Sequence, residues 1–197
     1  METTILPITV IVAVVIFLIK EARDLLGNHQ NRKRQVLAIK NMLADEIEKN
    51  NFTIATLRRT LISIKNNHNI NSVSLERTSS GSLRIEFKEA GQESGSGWPI
   101  RNVSNVIFDK LYVQLASLDI DLFNKSKDAY ESLSEVDHIR SSLIDNIEDH
   151  EWPSDSYWES FVDYGLDELA DAYVALTILY KECTGNDLDK HKIRAFA

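Results

Sequence analysis

Two residue patterns in this chain of 197 residues could do chemistry: a pair of potential metal ligands and a series of regularly spaced carboxylates. The pair is Glu135 and His138, the Glu-x-x-His spacing that puts two ligands on one helix face. A di-iron bundle needs two such pairs and two further inward-facing glutamates, and the sequence has no second pair. We therefore predict that both side chains are solvated and that the chain holds no metal.

Sequence motifs of nucleotide hydrolysis and nucleophilic catalysis are absent. The glycines Gly91, Gly95 and Gly97 lie in a polar stretch that no Lys-Ser or Lys-Thr follows, so there is no phosphate-binding loop. There is no Gly-x-Ser-x-Gly either, and Cys183 has no histidine near it in sequence. We predict a protein without enzymatic activity and without a cofactor. An enzyme site assembled from scattered residues is the alternative.

The regularly spaced carboxylates lie in a segment without lysine or arginine, between Arg140 and Lys181. Five of them recur every four residues and form what we call the acidic ridge: Asp155, Glu159, Asp163, Asp167 and Asp171. On a continuous helix this spacing gives a slowly drifting line of negative charge. Each like-charge pair costs a few tenths of a kcal/mol, which a binding partner would offset. We predict that the ridge is a partner-binding surface.

Other interpretations of the acidic ridge stay open. It could serve solubility and repel the domain from anionic lipids, or it could bind divalent cations. As a contact surface, it could bind a basic partner or the Arg58-Arg59 pair of a neighbouring subunit. A helix break at Gly165 would abolish the ridge. Nucleic acid is not an expected partner, because the formal net charge of the chain is -8.

The amino terminus contains the most apolar stretch of the chain. Residues 3–19 carry no charge, and every residue from Val10 to Ile19 is apolar. As a helix, these residues would extend over roughly 25 Å, slightly less than the hydrocarbon thickness of a bilayer. A cleaved export signal is disfavoured because the chain starts with Met1-Glu2 and lacks a basic region before the apolar run. We predict a transmembrane helix over residues 1–20, with a buried core helix as the alternative.

The charges that flank this stretch predict its orientation. Basic residues follow it, and none precedes it. Because positively charged flanks face the cytoplasm, we expect a single-pass protein of the inner membrane with its carboxyl-terminal domain in the cytoplasm. The lone cysteine agrees with a reducing compartment. The side chains expected at the membrane surface are Lys20, Arg23, Arg32, Lys33 and Arg34.

The rest of the sequence predicts a mainly α fold. An apolar stripe from Val36 to Ile64 indicates a long stalk helix with a coiled-coil-like seam in residues 21–67. Asn50 interrupts that seam, and we predict that it is a partner-binding residue that sets register or oligomeric state; a helix break or a cap is the alternative. Residues 68–98 predict a two-stranded β-hairpin and a Gly/Ser-rich loop, inserted before a helical bundle in residues 99–197 whose last helix carries the acidic ridge.

Two segments give the chain a resemblance to a protein family. They are "MLADEIEKNNFTIATL", in which Glu46 and Asn50 form a Glu-x-x-x-Asn pair, and a later helix with Tyr130, Leu133 and Val136. With one amino-terminal span, this arrangement resembles uncharacterised single-pass, membrane-anchored helical proteins of prokaryotes. The resemblance implies location and architecture, with bacterial stress response or phage defence as the setting. It implies no activity.

These patterns together predict how the protein works. We expect a membrane-anchored cytosolic helical module that acts as an accessory or effector subunit through protein association, as a homo-oligomer or with a basic protein partner. A membrane-disrupting effector whose spans oligomerise is the alternative from another class. The apolar stretch has neither a small-xxx-small motif nor a polar face, which disfavours that alternative.

Overall fold

The computed structural model describes residues 8–67, 73–79, 82–87, 95–148 and 155–188. Within these ranges the chain is mainly α-helical and has a small antiparallel sheet. In chain order the elements are α1 Ile8–Asn67, β1 Val73–Arg77, β2 Leu83–Phe87, β3 Ser96–Ile100, α2 Val106–Leu118, α3 Ile120–Glu148 and α4 Asp155–Thr184. The predicted fold class is thereby confirmed at the level of a helical bundle with an inserted β element.

Helix α1 consists of two halves with different surroundings. It is 60 residues long, which corresponds to about 90 Å of helix. Side chains 12–35 are exposed on every face of the helix, so this half lies outside the packed part of the molecule. From Val36 onward an apolar stripe faces the other helices, and its buried members are Ile39, Leu43, Ile47, Ile54, Leu57, Leu61 and Ile64.

The predicted membrane span lies partly in residues 1–7, outside the described residues. In the part of the chain that the structure describes, no helix is both long enough and apolar enough to cross a membrane.

The bundle is built from the second half of α1, the long helices α3 and α4, and the shorter α2. Helix α4 packs on both α1 and α3, and α2 bridges α1 and α3 on another side. Helix α3 buries an apolar stripe in the core, and its members are Leu122, Ala129, Tyr130, Leu133, Val136, Ile139, Leu143 and Ile147.

The sheet has three strands where the sequence predicts two. The predicted hairpin of β1 and β2 is confirmed, with Leu75 opposite Ile85. Ser96–Ile100, predicted as the end of a flexible loop and the start of a helix, pairs with β2 instead as strand β3. Pro99 fits because β3 is an edge strand, where a residue without an N–H breaks no ladder bond. Trp98 and Phe87 make an edge-to-face contact with ring centroids 5.7 Å apart.

Local signals in the sequence determine two of the helix ends. Asp119 separates α2 from α3: its backbone is extended, and its Oδ1 accepts a hydrogen bond from the Leu122 N–H at 3.0 Å. Gly185 ends α4 with a left-handed φ of 74° and donates its N–H to the Lys181 carbonyl. The last helical residue of α4 is therefore Thr184.

Gly165 does not break α4, contrary to one sequence-based alternative. The helix runs without interruption from Asp155 to Thr184. A Cβ atom at Gly165 would lie 2.9 Å from Leu61 Cδ1 and 3.3 Å from Ile139 Cγ2. The missing side chain thus lets α4 approach α1 and α3 closely. Glycine is less favourable than alanine in a helix by about 1 kcal/mol, and the close packing offsets this cost.

Candidate functional site

The apolar end of α1 exposes a run of large hydrophobic side chains. Seven large apolar side chains between Val12 and Ile19 have exposed fractions of 49% to 64%. A monomeric soluble protein rarely exposes a contiguous apolar patch of more than a few hundred Å². Farther along the same helix, Leu25 and Leu26 are also exposed. These side chains form a surface that is suited to an apolar environment.

The basic residues predicted at the membrane surface all lie on the exposed half of α1. Lys20, Arg23, Lys33 and Arg34 project into solvent. Arg32 differs from them because its guanidinium reaches the bundle, where Nε and Nη2 both donate to the Leu118 carbonyl. The Nε contact is 3.0 Å long. Arg32 therefore supplies a donor to a free carbonyl at the end of α2, besides contributing positive charge.

A buried polar cluster joins α1 to the start of α2. The carboxylate of Glu46, which is 1% exposed, accepts hydrogen bonds from Ser104 Oγ at 2.7 Å and Tyr130 Oη at 2.6 Å. It also accepts from the backbone N–H groups of Ile107 at 3.0 Å and Phe108 at 3.2 Å. These N–H groups belong to the first turn of α2 and have no partner within their helix. Glu46 therefore caps α2 from a different helix, with favourable charge for that helix end.

Tyr130 closes this cluster from α3. Its ring stacks on Phe108 with centroids 4.3 Å apart. Burial raises the pKa of the Tyr130 hydroxyl above its usual value, and the hydrogen bond to Glu46 raises it further. The hydroxyl therefore stays protonated and acts as a hydrogen-bond donor. The cluster joins three helices, but it is closed to solvent, so it offers no cleft for a substrate.

Asn50 uses both ends of its amide within the chain. Its Nδ2 donates to the Ser104 carbonyl at 2.7 Å, and its Oδ1 accepts from the Ser104 N–H at 2.8 Å. The side chain is 1% exposed. Asn50 was predicted to set register or oligomeric state at a helix seam. In the structure it aligns α1 with the segment before α2, and the helix continues through it to Asn67, so Asn50 marks no helix break. Its role in oligomeric state stays a prediction.

The acidic ridge exists as a surface feature of α4. Glu159, Asp163, Asp167 and Asp171 are all exposed on the side of the helix away from the core. Asp155 is the first residue of α4, and its side chain lies outside the described residues.

The chain itself neutralises part of the ridge. Lys65 of α1 forms an ion pair with Asp163 at 2.5 Å. This contact raises the pKa of Lys65, and the more distant charges of Asp167 and Glu159 raise it as well. Both partners are more than half exposed, so the pair contributes little stability. The cost of placing like charges four residues apart is thus partly offset without a partner.

A groove runs between α1 and α4 beside the ridge. It has a volume of about 350 Å³ and is lined by apolar and small side chains together with two arginines: Asn51, Ile54, Ala55, Arg58, Arg59, Leu169, Ala170, Tyr173 and Val174. Val174 at its rim is 55% exposed. Arg58 and Arg59 were predicted as candidates to meet the ridge of a second subunit. The structure puts them on one wall of this groove, while the ridge lies on the helix that forms the other wall.

An ion cluster ties α4 to α1 and α3 at the opposite end of the bundle. Glu182 accepts from Lys125 at 2.5 Å and from Lys40 at 2.8 Å. Lys125 and Lys40 lower the pKa of the Glu182 carboxyl to about 2. Lys40 also donates to the Glu182 backbone carbonyl at 2.9 Å, near the carboxyl-terminal end of α4 where positive charge is favourable. Next to Glu182, burial raises the pKa of the Cys183 thiol to about 12.

The described residues contain no group of three or more histidine, cysteine, aspartate or glutamate side chains that is arranged to hold a metal ion. Glu135, half of the pair considered for such a site, accepts a hydrogen bond from Tyr164 instead.

The Glu46 cluster is the arrangement that sequence reasoning missed. The sequence contains the motif Glu46-x-x-x-Asn50, but it predicts a role only for Asn50 and none for Glu46. One signal could have revealed the role: Glu46 lies between Leu43 and Ile47 on the buried stripe, where a carboxylate must find several donors. The identity of those donors depends on tertiary packing.

Comparisons of the chain with protein-family models, with curated proteins and with solved structures found no match. The resemblance to single-pass helical proteins of prokaryotes therefore stays a prediction.

Proposed function

We propose that this protein is a membrane-anchored helical module that works by protein association, as an accessory or effector subunit at the inner membrane. One observation carries the proposal: α1 extends its most apolar segment away from the bundle instead of burying it. The bundle has a complete core without this segment. The segment is therefore free to bind something apolar, and a lipid bilayer is the occupant that we propose.

Magnitudes favour insertion in the bilayer. Large aliphatic and aromatic residues each contribute about 0.3 to 0.6 kcal/mol to insertion at the centre of a helix. The seven exposed side chains from Val12 to Ile19 thus supply roughly 3 kcal/mol. The uncharged run begins earlier, at Thr3, so further apolar residues add to this value. Lys20 and Arg23 then meet the headgroups and keep the bundle on the cytoplasmic side.

Membrane fractionation tests the anchor. An aspartate at the centre of a span costs about 3 kcal/mol, so the double variant Val14→Asp, Phe17→Asp should cancel the insertion energy and release the protein. Since both residues lie outside the bundle, its helicity and melting temperature should not change. The matched control Leu25→Asp, Leu26→Asp places the same charges beyond Lys20 and should stay in the membrane fraction. Equal partitioning of the two variants would refute the anchor.

We propose that the partner is a second copy of the chain, bound at the groove between α1 and α4. The surface has both signs of charge, with Arg58 and Arg59 on one wall and Asp167 and Asp171 on the other helix. A two-fold axis would bring the arginines of each copy to the acidic ridge of the other. Confinement of both copies to one membrane raises their effective concentration, so a weak contact is sufficient.

Charge reversal provides a sharp test of this contact. One variant, Arg58→Glu, Arg59→Glu, reverses the charge of the two arginines in the groove, and a second variant, Asp167→Lys, Asp171→Lys, reverses the charge of the neighbouring part of the acidic ridge. Each should fail to self-associate because like charges then meet across the axis. An equimolar mixture should associate again, because the opposite charges now lie on different chains. Sedimentation in neutral detergent or crosslinking in membranes measures this.

A matched control for charge reversal is Lys110→Glu, Lys127→Glu, which changes the same number of charges on exposed faces of α2 and α3. It should associate like the parent. If the mixture of the two reversed variants associates no better than either one alone, the copies do not meet through this groove. A parent chain that is monomeric at membrane density would show that the partner is a different protein.

A further inference from the structure

A second groove lies at the end of the bundle nearest the exposed half of α1. It is formed where α1 passes the corner between α2 and α3, and its volume is about 530 Å³. Its lining combines basic and apolar side chains: His29, Arg32, Lys33, Val36, Leu37, Lys40, Leu118, Asp119 and Ile120. This composition differs from that of the groove at α4, where the neighbouring ridge is acidic.

Positive charge dominates the lining of this groove. Arg32, Lys33 and Lys40 supply three cations, of which Lys40 is paired with Glu182, and Asp119 is the one acidic residue among the side chains that line it. The Asp119 carboxylate is already used, because it caps α3 through the Leu122 N–H. The three cations lie on the same side of α1, because residues 29, 32, 33, 36 and 40 are spaced three or four apart along the helix.

Arg32 is held in a fixed position at this groove. Its Nε and Nη2 donate to the Leu118 carbonyl, which anchors the guanidinium plane against the end of α2. A guanidinium has five N–H donors, and this carbonyl takes two of them, so three are left for another acceptor. Fixing the side chain in advance lowers the entropy cost of binding an anion there. Phosphate oxygens suit such a planar donor set.

Apolar side chains border the same groove. Leu37 is 59% exposed and Ile120 is 57% exposed, although both are large aliphatic residues. A small inorganic anion would use the cations and leave these two side chains in water. An amphiphile would cover them as well. The combination of fixed cations with an apolar border therefore favours a ligand that has a phosphate group and an attached hydrocarbon chain.

We infer that this groove binds the headgroup and upper acyl chain of an anionic phospholipid. The inference rests on the proposed membrane anchor and deepens it. Arg32 follows Ile19 by thirteen residues, about 20 Å along the helix, and tilting α1 by up to about 40° lowers this to roughly 15 Å. The contact would draw the basic end of the bundle down to the membrane surface and leave the acidic ridge facing the cytoplasm.

Native mass spectrometry of the full chain in neutral detergent micelles tests the inference. Phosphatidylglycerol, phosphatidylcholine and inorganic phosphate are titrated separately. We expect phosphatidylglycerol to bind at least tenfold more tightly than phosphatidylcholine. The double variant Arg32→Gln, Lys33→Gln should lower the affinity for phosphatidylglycerol roughly 10- to 30-fold. Lys33→Gln alone should give a smaller loss, and it leaves the contact between Arg32 and Leu118 intact.

Two further variants identify the ligand source. The double variant Leu37→Asn, Ile120→Asn should lower the affinity for phosphatidylglycerol severalfold without changing the affinity for inorganic phosphate. The control Lys110→Gln, Lys127→Gln removes the same charge elsewhere and should bind like the parent. Equal affinity for inorganic phosphate and the lipid, or equal losses in the groove and control variants, would overturn the inference. Because micelle binding does not require membrane residence, such a failure is distinct from failure of the anchor in fractionation.

Discussion

At the residue scale, buried polar side chains fix how α1 is aligned with α2. Glu46 and Asn50 lie one turn apart on the buried face of α1, and both bind the segment that leads into α2. Each buried carboxylate or amide is stable only when several donors and acceptors meet it at once. The two residues therefore specify one alignment of α1 against α2, where apolar contacts alone would allow several.

Replacing Glu46 tests this alignment. In Glu46→Gln the side-chain amide presents N–H groups to a site where four donors already converge, so we expect a loss of about 3 kcal/mol in the free energy of unfolding. Tyr130→Phe removes one donor and should cost about 1 to 2 kcal/mol. The control Tyr164→Phe removes an exposed hydroxyl bound to Glu135 and should lower stability much less than Tyr130→Phe, because solvent screens that contact. Denaturant unfolding measures all three, and equal losses in the two tyrosine variants would contradict the account.

Glu182 predicts how stability depends on pH. Its folded pKa of about 2 lies below the ordinary value of 4.5, so its ion pairs stabilise the fold above pH 4.5 and lose this effect as the pH falls toward 2. Glu182→Gln should cost about 1 kcal/mol at pH 7, and its difference from the parent should shrink steadily below pH 4.5. Glu131→Gln, which removes an exposed pair with Lys127, is the control and should show a much smaller effect. A difference that is independent of pH would rule out the ion cluster.

At the element scale, the helices could be predicted from the sequence and the third strand could not. The apolar residues of α3 and α4 have the spacing of a helix with one buried face. This spacing can be recognised from the local sequence without knowledge of the packing partners. Strand β3 contains Gly97 and Pro99, which break the alternation that marks a strand. It forms because β2 offers an open edge, and that edge exists only after the hairpin has folded. The partner of a strand is a tertiary property.

Gly165 likewise depends on its neighbours. From sequence, it could be judged only as a weak point in α4. Leu61 and Ile139, fully buried on two other helices, would have to shift to make room for a Cβ.

Replacing Gly27 or Gly165 with alanine separates the effect of helix propensity from the effect of core packing. Alanine is favoured over glycine in a helix by about 1 kcal/mol, so Gly27→Ala, with no atom within 4 Å of its added Cβ, should cause no loss of stability. Gly165→Ala should lower the melting temperature, because the forced shift of the packed core costs about 1 to 3 kcal/mol and exceeds the gain in propensity. Thermal unfolding followed by circular dichroism tests this, and a stabilised Gly165→Ala would show that the core can adapt.

At the scale of the whole molecule, basic and acidic residues concentrate at different positions along the bundle axis. Lys40 meets Glu182 at the end near the apolar segment, and Lys65 meets Asp163 at the far end. These lysines are 25 residues apart, about 37 Å along α1. The basic residues Lys20, Arg23, Arg32, Lys33 and Arg34 lie on the half of α1 nearer the proposed membrane, and the acidic ridge lies along the part of α4 that is farther from it. Repulsion between this ridge and an anionic leaflet would favour the same orientation.

Cys183 makes a direct test of the anchor practical. It is the single cysteine of the chain, it is buried, and its pKa is raised to about 12, so its thiol should not react with alkylating reagents at neutral pH while the protein is folded. One introduced cysteine can therefore carry a fluorophore selectively. Phe17→Cys places the label in the apolar segment, and Lys65→Cys places it at the far end of the bundle.

The depth of these labels in vesicles tests the central claim, that α1 carries the chain into a lipid bilayer. We expect bromine atoms on lipid acyl chains to quench the label at position 17 strongly, and iodide in the aqueous phase to quench the label at position 65. A label at position 17 that iodide quenches, or that neither reagent reaches because protein surrounds it, would contradict the account.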